Sequence, residues 1–151
     1  MSETAEHEFD TWLWGKNDDR PRFLHAMIRV RDFDAALKFY IDGLGMKVLD
    51  RFDVERRRTT GMYIGFGEYK DGGMVELVHP WDDEEVYSHG SGYGHHIAIG
   101  VPDVPAMVAK LEAMGAEVTL RPQELIDGAP QVAFVKDPDG YSVELIQTRK
   151  P

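Results

Sequence analysis

Hydrophobic and polar positions along this chain follow one rhythm twice. Leu24-His25-Ala26-Met27-Ile28-Arg29-Val30 and His95-His96-Ile97-Ala98-Ile99-Gly100-Val101 each read as a short apolar strand entered by a histidine, with a valine five residues later. Asp32-Phe33-Asp34 and Asp103-Val104-Pro105 follow, and each is an N-cap signal, an acidic side chain placed to accept from the free amides of a first helical turn. Pro105 suits that turn, where its missing amide costs little. Ala35, Ala36, Phe39 and Tyr40 recur at helical spacing, as do Met107, Val108, Leu111 and Met114; the helices are expected to end at Gly43 or Gly45 and at Gly115. β-type runs come next: Lys47 to Val54 and Gly61 to Phe66, then Ala116 to Leu120 and Gln131 to Lys136. Asp71-Gly72-Gly73-Met74-Val75-Glu76-Leu77-Val78 and Asp139-Gly140-Tyr141-Ser142-Val143-Glu144-Leu145-Ile146 close the halves alike, with a hairpin turn leading into a strand that carries a glutamate at the same place.

The pattern predicts one α+β domain over residues 23–148, made of two βαβββ modules at 23–79 and 94–148 and a Pro-, Trp- and acid-rich linker at 80–93. Residues 1–22 are polar and acidic apart from Trp12-Leu13-Trp14, which reads equally as part of a frayed tail or of an arm laid over a groove.

Strand parity selects the candidate site. Side chains alternate across a strand, so Ala26, Ile28 and Val30 share the face turned to a helix, while His25, Met27 and Arg29 share the other. The same parity places His96 with Ala98 and Gly100, and turns Glu76 and Glu144 away from their apolar neighbours. Modules related by a pseudo-twofold axis would bring His25, Glu76, His96 and Glu144 to one point. Two imidazoles and two carboxylates leave two positions of an octahedron open, which suits a borderline cation such as Ni²⁺, Co²⁺ or Zn²⁺ that must also hold water or substrate oxygens. A lone strand histidine is more often a hydrogen-bonded rim or core residue; four ligand-type residues at repeat-equivalent positions favour a metal.

Composition narrows the chemistry further. The 151 residues are 42% hydrophobic, enough for one core, and the formal net charge of −10 argues against nucleic acid, whose binding draws on Lys and Arg against phosphates. Without cysteine there is no disulfide, no thiolate nucleophile and no Cys-based zinc site, so a metal must be held by histidine and carboxylate. No stretch is apolar enough for a membrane span and no basic, apolar leader is present, so a cytoplasmic protein is expected. His95 falls on the face opposite His96; His79 and His89 sit in or beside the linker, where exposure is the default, and His7 is in the tail. Arg56-Arg57-Arg58 reads as a solvated loop, or as a contact for an anionic substrate. There is no Walker motif, dinucleotide fingerprint or nucleophile elbow.

These residues resemble the vicinal oxygen chelate superfamily and, within it, glyoxalase I. The matches are Leu24-His25 to Asp32, Phe39-Tyr40 to Leu44-Gly45-Met46, Val75-Glu76-Leu77, Gly92-Tyr93-Gly94 to Val101, and Ala133-Phe134-Val135 to Glu144-Leu145-Ile146, covering Phe23 to Thr148. The resemblance implies a cupped eight-stranded mixed sheet with helices outside, a homodimer, and one divalent metal held by His25, Glu76, His96 and Glu144. It implies isomerisation of the hemithioacetal of methylglyoxal and glutathione, with Glu144 as the base, Glu76 as its partner and Arg29 on the substrate. Three positions depart from the pattern that holds glutathione: Pro80 stands where an asparagine is usual, Ser91-Gly92 where a basic residue is common, and Ile126-Asp127-Gly128-Ala129-Pro130 brings no lysine. Another thiol is therefore open. So are an epimerase, a dioxygenase or a thiol transferase on the same fold, and a non-catalytic binding or resistance protein using the cup as a pocket.

Overall fold

The computed structural model describes residues 25–67, 73–82 and 96–149. Within them the order is β1 (His25–Arg29), α1 (Phe33–Leu37) continued by a π-helical segment (Lys38–Gly43), β2 (Lys47–Val54), a 3₁₀ turn (Glu55–Arg57), β3 (Thr59–Gly65), β4 (Met74–Pro80), β5 (His96–Val101), α2 (Val104–Ala113), β6 (Val118–Gln123), β7 (Val132–Lys136) and β8 (Ser142–Gln147). The βαβββ order is thus present twice. Leu24, Trp12, Trp14, His7, His89, His95, the Asp71-Gly72 turn and residues 83–95 lie outside the described residues.

Hydrogen bonding gathers the eight strands into two four-stranded sheets of the same order, β1-β4-β3-β2 and β5-β8-β7-β6. In each, the first strand runs parallel to the last and the other pairings are antiparallel. The chain packs as two compact units. One takes β1 with β2, β3 and β4; the other takes α1 and the π-helical segment together with β5 to β8 and α2. Met62, Ile64, Val75 and Leu77 are buried in the first, and Val101, Val104, Leu111, Ala133, Val143 and Leu145 in the second.

Helix limits follow the capping chemistry. Asp32 accepts from the amides of Asp34 (2.8 Å) and Ala35 (3.3 Å), and Asp103 from that of Ala106 (3.0 Å), satisfying first-turn donors that have no partner within the helix. α2 ends in a Schellman motif: Gly115 has φ +99°, its amide donates to Glu112 O, and the Ala116 amide donates to Leu111 O. That cap uses residues 115 and 116, so β6 begins only at Val118 and runs to Gln123 rather than over Ala116 to Leu120. β4 continues through His79 to Pro80, which places half-buried His79 inside a strand, opposite Thr60, instead of in an exposed linker.

Close packing ties the π-helical segment to α2: a Cβ on Gly43 would lie 2.7 Å from a Leu111 methyl. Polar anchors add to this. The hydroxyl of fully buried Tyr40 donates to Asp137 Oδ2 (2.7 Å), and the Arg31 amide donates to Asp139 Oδ1 (2.9 Å). Asp137 Oδ1 also accepts from the amides of Asp139 (3.0 Å) and Tyr141 (2.8 Å), which organises the β7–β8 turn around Gly140 at φ +91°. Burial pushes Asp137 up to about 6 against the downward pull of these bonds, and the same burial, with the Asp137 charge, drives Tyr40 upward.

Candidate metal centre

β1 and β4 are parallel neighbours, with His25 opposite Met74 and Met27 opposite Glu76. β5 and β8 repeat the arrangement, with His96 opposite Ser142 and Ala98 opposite Glu144. In both sheets the glutamate therefore stands opposite the residue two beyond the histidine, on the histidine's face. The consequence is direct contact. His25 Nε2 lies 2.7 Å from Glu76 Oε2, and His96 Nε2 lies 3.0 Å from Glu144 Oε2.

The structure brings the four predicted ligands together as two pairs, one in each unit. Among the described residues, no group of three or more His, Asp or Glu side chains is set to hold a metal ion. Each pair nonetheless has the chemistry of half a cation site. An imidazole lone pair and a carboxylate oxygen repel at this separation unless a proton or a cation lies between them. Among the described residues, the other ring nitrogen of His25 is buried without a hydrogen-bond partner, and the polar contact of that ring is at the edge turned to Glu76. Both glutamate side chains keep 17% of their surface exposed and the histidines 28% and 31%, enough access for an incoming ligand. The donor set of nitrogen and oxygen without sulfur suits a borderline divalent ion.

Aromatic rings back both histidines. The Tyr63 ring lies 5.2 Å from that of His25, and the Phe134 ring 5.2 Å from that of His96. Tyr63 pairs in register with Glu76, and Phe134 with Glu144. Burial first, then the carboxylates of Glu76 and Asp50, push the Tyr63 phenol up to about 12. Arg29 sits two residues beyond Met27 on the same face of β1 and is half-buried. In the Arg56-Arg57-Arg58 loop, the first two arginines are exposed, while Arg58, at φ +51°, forms two bonds to Asp82 (2.6 and 3.0 Å) and lies over the Trp81 ring. Parity reasoning missed Tyr63 and Asp50, although aligning Met62-Tyr63-Ile64 with Ala133-Phe134-Val135 would have marked the tyrosine as the repeat partner of Phe134.

The model of the Glyoxalase/Bleomycin resistance protein/Dioxygenase superfamily matches residues 22–145. The chain belongs to this superfamily. It is 42% identical over 125 residues to the probable lactoylglutathione lyase of Synechocystis, covering 83% of this chain and 94% of that protein. The probable lactoylglutathione lyase of Vibrio cholerae is 40% identical over 129 residues, covering 85% of this chain and 92% of its own. Among solved structures, the trypanothione-dependent glyoxalase I of Leishmania major superposes with a TM-score of 0.71 at 40% identity, over 85% of this chain and 87% of that one. Glyoxalase I of Zea mays gives a TM-score of 0.76 at 36% identity over 85% of this chain. This chain spans about half the length of that plant superfamily member, 45%.

Proposed function

We propose that this chain is a metal-dependent enzyme of the lactoylglutathione lyase type, which isomerises the hemithioacetal of a 2-oxoaldehyde such as methylglyoxal with glutathione or another thiol to a 2-hydroxyacyl thioester. The observation that carries the reading is the recurrence of a His–Glu contact at matching register in both sheets. Relatives about 40% identical over most of both chains bear that activity in their names, which supports the reaction class.

In this reading His25, Glu76, His96 and Glu144 together hold one divalent cation, Ni²⁺, Zn²⁺ or Co²⁺. When bound, that cation supplies a Lewis acid for the two oxygens of the substrate. The residues of the chain do the rest. The reaction breaks the C1–H bond and makes a C2–H bond, while the C1 hydroxyl proton passes to the C2 oxygen, so no oxidant or second substrate is needed. Glu144 takes the proton from C1, and Glu76 is the second carboxylate, serving proton return or the other hand of the substrate. The guanidinium of Arg29, on the His25 face of β1, meets an anionic group of the thiol. A homodimer in the cytoplasm is the setting this reading expects; the chain has no cysteine, and none of its described helices is long and apolar enough to cross a membrane.

The test is to form hemithioacetals from methylglyoxal with several thiols and follow thioester absorbance with and without added Ni²⁺, Co²⁺ or Zn²⁺. Metal-dependent thioester formation with at least one thiol is expected. Its failure with every thiol would overturn the proposal.

A further inference from the structure

A cavity of about 420 Å³ lies between the π-helical segment, the C-terminal end of α2 and the β7–β8 turn. That volume is within the range that holds small organic ligands. α2 covers the sheet face that carries buried Val143 and Leu145, whereas Glu144 alternates to the opposite face with His96, so the cavity is separate from the candidate metal centre. The reaction proposed above makes no use of it.

The apolar part of its lining is Ala35, Phe39, Leu111 and Met114, and the charged part is Lys38, Glu117, Lys136 and Asp137. Which charges are already engaged decides the sign of a ligand. Asp137 is buried with both oxygens taken, Oδ2 by the Tyr40 hydroxyl and Oδ1 by the Asp139 and Tyr141 amides. The carbonyls of Lys110, Leu111 and Glu112 at the end of α2 accept from the amides of Met114, Gly115 and Ala116. Glu117 is exposed, where water and salt screen it. Acceptors for a bound cation are thus largely spent.

The donors are not. Lys136 makes one long bond, 3.3 Å, to the Gly140 carbonyl, and the exposed Lys38 ammonium has no ion pair among the described residues. Four lysines fall among those residues, Lys38, Lys47, Lys110 and Lys136, so in a chain of net charge −10 half of them border this one cavity. π-helical winding is rare and found frequently at functional sites. Here it opens at Lys38 and brings Phe39 to the apolar lining.

From these features we propose that the cavity is a second ligand site, which takes a small carboxylate with an apolar body: the chain or ring of the ligand lies on Phe39, Leu111 and Met114, and its carboxylate accepts from Lys38 and Lys136. The site is independent of the reaction proposed above.

The experiment follows the methyl signals of labelled methionine in the full chain, with and without Zn²⁺, during titration with hexanoate, hexanol, hexylammonium and acetate at constant ionic strength. Met114 lines the cavity, and its signal is assigned by its loss in Met114→Leu. Met27, opposite Glu76 in register, reports on the metal centre. Hexanoate is expected to shift Met114 saturably, at concentrations at least about tenfold below those the other probes need, and to leave Met27 in place. Lys38→Gln and Lys136→Gln should each weaken hexanoate roughly tenfold, the loss that follows removal of one charge-assisted bond, with the melting temperature unchanged. Equal response to hexanoate and hexanol would make the cavity an apolar cleft indifferent to charge, a stronger response to hexylammonium would give the sign to Asp137 and Glu117, and movement of Met27 alone would put the anion at the metal centre. Each of these overturns the proposal, as does a flat titration or full hexanoate affinity in both lysine variants. None of them bears on thioester formation, which stands or falls on its own assay.

Discussion

The first sheet sets its glutamate among hydrogen-bonding groups, Tyr63 and Asp50, with Arg29 further along the same face; the second sets an equally exposed glutamate among Phe134, Leu120 and Ala98, with Gly100 in the place of Arg29. Backbone register is the same in both, down to the position of each glutamate relative to its histidine. Repetition of the frame therefore fixes where the ligand-type atoms stand, and the neighbouring strands give each pair different surroundings. Two carboxylates alike in register and exposure thus stand among different neighbours, Tyr63 and Asp50 in one sheet and Phe134 and Leu120 in the other.

The sharpest way to break that comparison is at the glutamates. Glu144→Gln keeps the shape and removes the proposed base, so turnover is expected to fall on the order of 10³-fold with the unfolding temperature nearly unchanged. Activity close to wild type in that variant would end the assignment. Next comes Arg29→Ala, which strips the first face of a cation that the second face never had. An increase in KM of about tenfold with kcat largely kept is expected, and steady-state kinetics with a carboxylated and an uncharged thiol would show whether the effect follows the charge of the thiol.

Smaller effects test the second unit through its polar anchor. Tyr40→Phe leaves buried Asp137 with one donor fewer and is expected to cost on the order of 1–3 kcal/mol in denaturant unfolding. The accompanying pH dependence has a definite sign. Because Asp137 is raised from 3.8 to about 6 in the folded chain, folding favours its protonated form; that contribution is complete below about pH 4 and is lost as pH rises through 6. Stability measured relative to Asp137→Asn should therefore decline from pH 4 to 7, and a rise over that window would contradict the burial argument.

Much of this was legible in the sequence. Two apolar strands entered by histidines, two aspartate caps, two glycine stops and two closing strands carrying glutamate were enough to give the βαβββ repeat and to mark His25, Glu76, His96 and Glu144 as ligand-type residues, because all depend on local signals and strict alternation; that they meet as two pairs came from the strand register. The outer strands were harder. Register shifts between Val48 and Asp50 and between Val118 and Leu120 break the alternation, so parity counted along β2 or β6 cannot place Asp50 or Leu120 in a row. Tyr40 was legible only as part of an apolar helical stripe; its hydroxyl bond reaches a residue 97 positions away, and no local pattern encodes such a partner. The same holds for the π-helical turn at Lys38–Gly43, whose wider winding leaves no mark in hydrophobic spacing.

One consequence follows from the strand order. Each His–Glu pair rides on the parallel contact between the first and last strands of its sheet, whereas the aromatic rings beside it come from the antiparallel partner of the last strand. Substitutions in those antiparallel strands can therefore change the surroundings of a His–Glu contact one residue at a time, while the parallel pairing that sets the contact stays as it is.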